Sequence, residues 1–376
     1  MTITNAATRW GYQRIAKPFF FRKDPESVHD RVSGIGKWLG RSTVARYLLS
    51  KSYVVSDKRL SQKIHGITFP NPIGLAAGFD KNAELTSIIP TIGFGFEEVG
   101  SITGEACEGN PKPRLWRLPE SKGLVVYYGL KNNGCEVIAK SLSGRTFAIP
   151  IGTSIAKTNS PTCVREEEGI QDYVKAFLAF AEIGDYFTIN ISCPNTYGGE
   201  PFAHPEKLES LLSALDPIPT RKPIFLKISA DTSIVEMDAL LNVISEHRVH
   251  GLIVANLTKD YSSPYLHHHE INPISKGGIS GKPVSPKANI LIKYIYQKTK
   301  NKYSIIGCGG IFTAQDAYEK IKDGASLVQL ITGMIFEGPQ LISEINHGLL
   351  GLLERDGYTH ISEAIGVANR VSCIQD

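Results

Sequence analysis

The stretch YSIIGCGGIFTAQDAYEKIKDGASLVQLITG (303–333) decides the fold. It opens with a β-rich run at 303–308. Residues 313–323 follow with amphipathic helical spacing, and a second β-rich run occupies 326–331. Strand, helix and strand in succession form a βαβ unit, whose strands lie parallel in one sheet. Working outward, further β-rich runs fall at 72–77, 94–99, 148–154, 186–192, 223–229 and 250–256. Amphipathic helical stretches separate most of them, at 169–183, 205–214, 233–247 and 284–299. Eight such units in roughly 300 residues predict an α/β fold of the (β/α)8 TIM-barrel type. A doubly wound sheet is the competitor. Its fingerprint, GxGxxG after the first strand with an acid about 20 residues on, is absent.

In such a barrel, chemistry gathers at the C-terminal strand ends. The first strand runs into Ala76-Ala77-Gly78-Phe79-Asp80-Lys81-Asn82. The fourth ends in FTINISCPNT (187–196), where Asn190, Cys193 and Asn195 crowd around Pro194. The fifth ends at Lys227 and the sixth at Asn256. Glycines follow the last two strands, at Gly307-Cys308-Gly309-Gly310 and Thr332-Gly333, and Gly277–Gly281 adds a third loop. Backbone N–H groups in such loops can face an anion without side-chain obstruction, which suits a phosphate-bearing cofactor. Amides bind the polar edges of imides and ureas. Lysines balance a carboxylate, a phosphate or a reduced cofactor. A thiol at a polar strand end can serve as base or nucleophile once ionised. Cys308 reads as packing. His267-His268-His269 looks like a metal clue, but no acid or cysteine is spaced to join it, and consecutive residues converge poorly on one ion. It reads as a solvated loop, with no metal site.

Composition narrows the class. The chain has 376 residues, 42% apolar and 21% charged, as in a soluble globular protein. A net charge of +4 argues against a dedicated nucleic-acid binder. Six scattered cysteines without a CxxC pair fit a reducing cytoplasm. No apolar run reaches the roughly 18 residues of a spanning helix, and the N-terminus lacks the layout of a secretory leader. Residues 1–60 stand apart, with 12 Lys and Arg against 4 Asp and Glu, interleaved with Trp10, Phe19, Phe20, Phe21, Trp38 and Tyr47. Asp24-Pro25-Glu26 starts a helix that carries Val28, Val32, Ile35 and Leu39 on one face, and a shorter helix through Leu49 follows. Such a segment suits a membrane surface; packing on the main body is the alternative.

Seven pieces together, NPIGLAAGFDKN (71–82), GNPKPRLWRLPE (109–120), NISCPNTYGG (190–199), GLIVAN (251–256), GGISGKP (277–283), IIGCGGI (305–311) and GASLVQLITG (324–333), resemble the dihydroorotate dehydrogenases. The likeness runs from about residue 15 to about 368, and FFFRKDPESVHD resembles the helical extension of the quinone-reducing class. It implies an extension over 1–60 and an FMN-binding barrel over 61–376. It also implies oxidation of dihydroorotate to orotate, electron transfer to a membrane quinone, and attachment at the cytoplasmic face of a membrane through the N-terminal segment. Residue by residue, Ala77, Gly78, Ser101 and Lys227 would contact the flavin. Gly281, Gly310, Thr332 and Gly333 would hold its phosphate, and Lys81, Asn190, Asn195 and Asn256 the substrate. Cys193 would be the base that removes the C5 proton while the C6 hydride passes to flavin N5.

Four positions depart from the pattern. Cys193 stands where the quinone class usually has Ser. Val126 replaces a substrate-binding Asn, for which Asn132 or Asn133 could substitute only in a re-registered loop. Ser154 replaces an Asn near flavin and substrate, and Leu257 a Ser or Thr. These changes leave two alternatives: an FMN oxidoreductase acting on another dihydropyrimidine or cyclic amide, and a non-catalytic flavin-binding scaffold.

Overall fold

The computed structural model describes residues 2–274 and 276–370, so Cys373 lies outside the described residues. Four helices come first. Helix α1 (Ile3–Gly11) runs through a π-helical turn (Tyr12–Ala16) into α2 (Lys17–Phe21), and α3 (Pro25–Arg41) and α4 (Thr43–Tyr53) follow. The last two match the sequence expectation. Asp24 caps α3 by accepting from the Ser27 N–H at 2.8 Å, with Pro25 in the first turn. Helices α1 and α2 were not foreseen. Pro18 lacks an N–H and reads as a breaker, but the widened turn before it lets the chain continue helically.

A short hairpin, β1 (Gln62–Ile64) and β2 (Ile67–Phe69), leads into the barrel. The barrel strands are β3 (Ile73–Leu75), β4 (Phe96–Ile102), β7 (Ile151–Ile155), β8 (Tyr186–Asn190), β9 (Ile224–Lys227), β10 (Gly251–Val254), β12 (Ser304–Cys308) and β13 (Leu327–Leu330). Each falls on one of the eight runs read from the sequence. They pair in parallel in that order and close from β13 back to β3. Outside the barrel, β5 (Leu115–Leu118), β6 (Gly123–Val126) and β11 (Gly278–Gly281) form an antiparallel sheet in the order β11-β6-β5. This second sheet was not read from the sequence.

Apolar side chains close one end of the barrel interior, where Phe69, Phe96, Tyr186, Phe225 and Ile306 pack together. Gly152 permits this, because a Cβ there would lie 2.1 Å from the Tyr186 ring. The larger core fills the layer between barrel and helices. The helical layer is tied to the second sheet by charge. Glu26 of α3 accepts from Arg114 Nη2 at 2.8 Å and Nε at 3.0 Å, both side chains being almost wholly buried. Arg114 Nη1 also donates to the carbonyls of Glu108 and Asn110.

One buried acid on the barrel wall has a thermodynamic consequence. Glu97 is fully buried beside Asp80, and burial holds its carboxyl well above the ordinary carboxylate range. The folded chain therefore keeps a proton that the unfolded chain releases above about pH 4.5. This contribution to stability is complete below that pH and is lost as pH rises toward the folded-state value. Glu97→Gln should raise Tm at pH 8 and flatten the decline between about pH 5 and 8; thermal unfolding across that range checks it, and a lower Tm at pH 8 would contradict it.

Candidate active site

One cavity of about 640 Å³ runs from the helical layer to the C-terminal rim of the barrel. All thirteen residues singled out in the sequence line it: Ala77, Gly78, Lys81, Ser101, Asn190, Cys193, Asn195, Lys227, Asn256, Gly281, Gly310, Thr332 and Gly333. Val28, Val32, Ile35 and Leu39 of α3 line its other end. The apolar stripe of α3 therefore faces a cavity, and Ile35 remains 57% exposed.

Lys227 lies at the end of β9 with its Nζ 3.8 Å from Glu98 Oε1, both side chains buried. The carboxylate is held from its other oxygen, which accepts from Thr188 Oγ1 at 2.8 Å and Gln329 Nε2 at 3.1 Å. A buried cation thus has a fixed counter-charge below it, while its flank lines the cavity. Three glycine loops stand above. A Cβ at Gly333 would lie 1.9 Å from the Ile311 carbonyl, and one at Gly310 2.4 Å from the Ser285 Cβ. Only glycine fits at either position, and the bare backbone there leaves room for an anionic group such as a phosphate.

The amides form a second group. Asn190 Nδ2 donates to Ser101 Oγ at 2.8 Å, and its Oδ1 accepts from the Ser192 N–H at 3.1 Å. Asn256 Nδ2 donates to the Ser192 carbonyl at 2.6 Å, and Asn195 Nδ2 to the Val126 carbonyl at 2.8 Å. These bonds fix the side chains, and among the described residues nothing donates to Oδ1 of Asn195 or Asn256. Both can therefore accept N–H groups from a ring in the cavity. Cys193 sits between them, half-buried, and burial pushes its thiol up to about 11.

Lys81 reaches the cavity from the loop after β3. Its Nζ lies 3.2 Å from His29 Nε2 and 4.3 Å from the centre of the Tyr128 ring. No carboxylate lies within salt-bridge distance of it among the described residues. Loss of water around the ammonium pushes Lys81 down to about 8, and burial followed by the lysine charge pushes His29 down to about 3. Neither His29 nor Tyr128 was singled out in the sequence. His29 shares the apolar stripe of α3, and nothing in the helical spacing separates it from Val28 or Val32.

The departures resolve in different ways. Val126 lies on the cavity wall, in register with Leu115 and Gly278. The loop after it is not re-registered to replace the missing amide. Asn132 is buried as a loop staple, donating to Thr103 Oγ1 and accepting from the Gly134 N–H, both at 2.8 Å. Asn133 is exposed. Tyr128 and Lys131 line the cavity instead. Ser154 is buried and bonds Ser101 Oγ at 2.8 Å. Leu257 lines the cavity, and so does Cys308, which also packs against the apolar cluster inside the barrel.

A family model described as dihydroorotate dehydrogenase matches residues 59–353. A protein of Gloeobacter violaceus named dihydroorotate dehydrogenase (quinone) is 38% identical over 356 residues, covering 94% of this chain and 98% of its own. A protein of the same name from Sulfurovum sp. is 40% identical over 354 residues, covering 93% and 96%. Among solved structures, DHODH from Eimeria tenella in complex with ferulenol superimposes with a TM-score of 0.82 at 30% identity, over 92% of this chain and 96% of that one.

The Lys227–Glu98 pair yields a direct test. Lys227→Met removes one partner and leaves a buried charge uncompensated. The variant should retain flavin about 10- to 100-fold more weakly than the parent, the scale of one lost charged contact. Titration of the stripped protein with FMN, followed by flavin fluorescence, measures this; unchanged affinity would remove Lys227 from the cofactor site.

Proposed function

The chain belongs to the dihydroorotate dehydrogenase family, and we propose that this one cavity serves two half-reactions, with substrate at the barrel rim and a quinone under the N-terminal helices. It is an oxidoreductase that oxidises dihydroorotate in pyrimidine biosynthesis, in a family that depends on flavin. The flavin is FMN in this reading. Ala77, Gly78, Ser101 and Lys227 hold its ring system, and Gly281, Gly310, Thr332 and Gly333 its phosphate. Bound there, it supplies the two-electron acceptor that the side chains lack.

The observation that carries the substrate assignment is Lys81. A half-buried ammonium with no carboxylate in contact, and only the more distant Asp30, Glu26 and Asp80 to offset its charge, is costly, and an anionic ligand relieves it. Dihydroorotate carries a carboxylate. Dihydrouracil does not, which disfavours the alternative of a neutral dihydropyrimidine. Asn190, Asn195 and Asn256 grip the ring amides and hold C5 near Cys193. The thiolate takes the C5 proton, and the ammonium of Lys81 keeps the carboxylate in register during the transfer. Val126 in place of an amide gives the ring one partner fewer on that wall.

The electron acceptor is assigned from the other end. The cavity reaches the helical layer, where Phe20, Val32, Ile35, Leu39 and Leu49 line it. Around that end Trp10, Ile15, Phe19, Trp38, Val44 and Leu48 are exposed, on a segment rich in Lys and Arg. Exposed apolar and basic groups together suit an anionic lipid surface. Among the described residues no helix is long and apolar enough to cross a membrane, so attachment in this reading is peripheral, at the cytoplasmic face. Residues 1–60 act as a guide through which a lipid-soluble quinone reaches the flavin.

Two substitutions test this reading. With Cys193 as base, flavin reduction by dihydroorotate should rise about tenfold per pH unit toward a limb near 11. Cys193→Ser should move that limb upward and slow the reaction throughout; a profile that is flat in pH would exclude the thiol. Lys81→Met should raise KM for dihydroorotate about 10- to 100-fold, while binding of a carboxylate-free dihydropyrimidine is unchanged. Equal losses for both would show that Lys81 does not meet the carboxylate.

A further inference from the structure

Away from the cavity, the fold brings three ligating side chains together from two distant segments. Glu120 lies in the turn between β5 and β6. His267 precedes, and His269 is the second residue of, the short helix His268–Ile271. His269 Nε2 lies 3.1 Å from Glu120 Oε1, across 149 residues of sequence, and His267 Nδ1 lies 3.8 Å from Glu120 Oε2. One ligating atom from each residue falls within 4.8 Å of the other two. The acid that the sequence did not offer beside the histidines is supplied by the tertiary fold.

These backbones are placed without help from the three side chains. The Glu270 carboxylate accepts from the N–H groups of Glu120 and Ser121 at 3.0 and 2.9 Å, and from Ser121 Oγ at 2.6 Å. The His267 N–H donates to Ser121 Oγ at 2.9 Å. Beneath them Leu118, Val125, Leu266, Ile271 and Ile279 form a small apolar cluster. The two segments are therefore docked by hydrogen bonds and packing, while the three ligating side chains stay exposed on the surface above them.

We infer that Glu120, His267 and His269 form a binding site for a borderline divalent transition ion of the Zn²⁺ class. Two imidazoles and a carboxylate, with the outer side open to water, match that class; Mg²⁺ and Ca²⁺ favour all-oxygen sets. Metal–ligand bonds of about 2.0–2.2 Å need ligating atoms roughly 3.3 Å apart in a tetrahedron, a spacing that side-chain rotation alone reaches. The site is empty in this structure. Its effect is mechanical. The ion ties the β10–β11 connection to the β5–β6 hairpin, whose Leu115, Arg117, Leu124 and Val126 line the cavity. Binding there stiffens one wall of the active site without touching the reacting atoms.

The test uses untagged, chelator-treated holoenzyme titrated with ZnCl2 by calorimetry and with CoCl2 by visible absorption. One ion per chain with micromolar affinity is expected, and saturating Zn²⁺ should raise Tm. His267→Ala, His269→Ala and Glu120→Gln should each weaken binding at least about tenfold, the scale of a lost ligand or its support. His268→Ala should leave it unchanged. Binding as tight in a His267→Ala/His269→Ala double variant as in the parent would overturn the site. So would the absence of binding below about 1 mM, or equal weakening by His268→Ala.

Discussion

The helices stay over the barrel rim because Glu26 and Arg114 are buried against each other. Each charge alone would be costly away from water; each is held by the other, and Arg114 also donates to the backbone carbonyls of Glu108 and Asn110. The pair joins the first turn of α3 to β5, two elements that belong to different layers. Much follows from that join. It sets His29 beside Lys81, turns the apolar stripe of α3 inward, and gives the cavity its outer wall.

Most of the barrel was legible because each strand sits on a short β-rich run bounded by turns, and each helix on a 3.6-residue period. Those are local signals, and a barrel repeats them eight times. The candidate site was legible for the same reason: barrel geometry sends strand ends to one rim, so residues far apart in sequence converge there. What escaped is non-local. Helices α1 and α2 hide behind Pro18. The sheet β11-β6-β5 joins short segments more than 150 residues apart in sequence, with no repeat to announce it. Tyr128 and Lys131 enter the cavity through that sheet, and Glu120 reaches His267 and His269 through it as well.

The site divides electrostatically as well as spatially. Lys227 carries its own counter-charge in Glu98, so it can face a cofactor whose charge changes during turnover without losing its support. Among the described residues Lys81 has no carboxylate in contact, and the proposed substrate carboxylate would fill that place. The thiol of Cys193 is raised by burial, which leaves little thiolate at neutral pH; as the proposed base it depends on a ring held close, the role proposed for the amides of Asn190, Asn195 and Asn256. Strong positioning would offset a weakly ionised base in the proposed reaction, in a cavity whose other end is lined by apolar side chains.

The most direct measurement is anaerobic double-mixing stopped-flow on the purified holoenzyme. The first mix, with dihydroorotate, is followed through the flavin absorbance band; the second adds a short-chain quinone, or instead fumarate or NAD. One cavity serving both partners predicts rapid bleaching, then recovery with quinone alone. Failure to bleach in protein that dithionite still reduces, or recovery with fumarate or NAD but not with quinone, would contradict it.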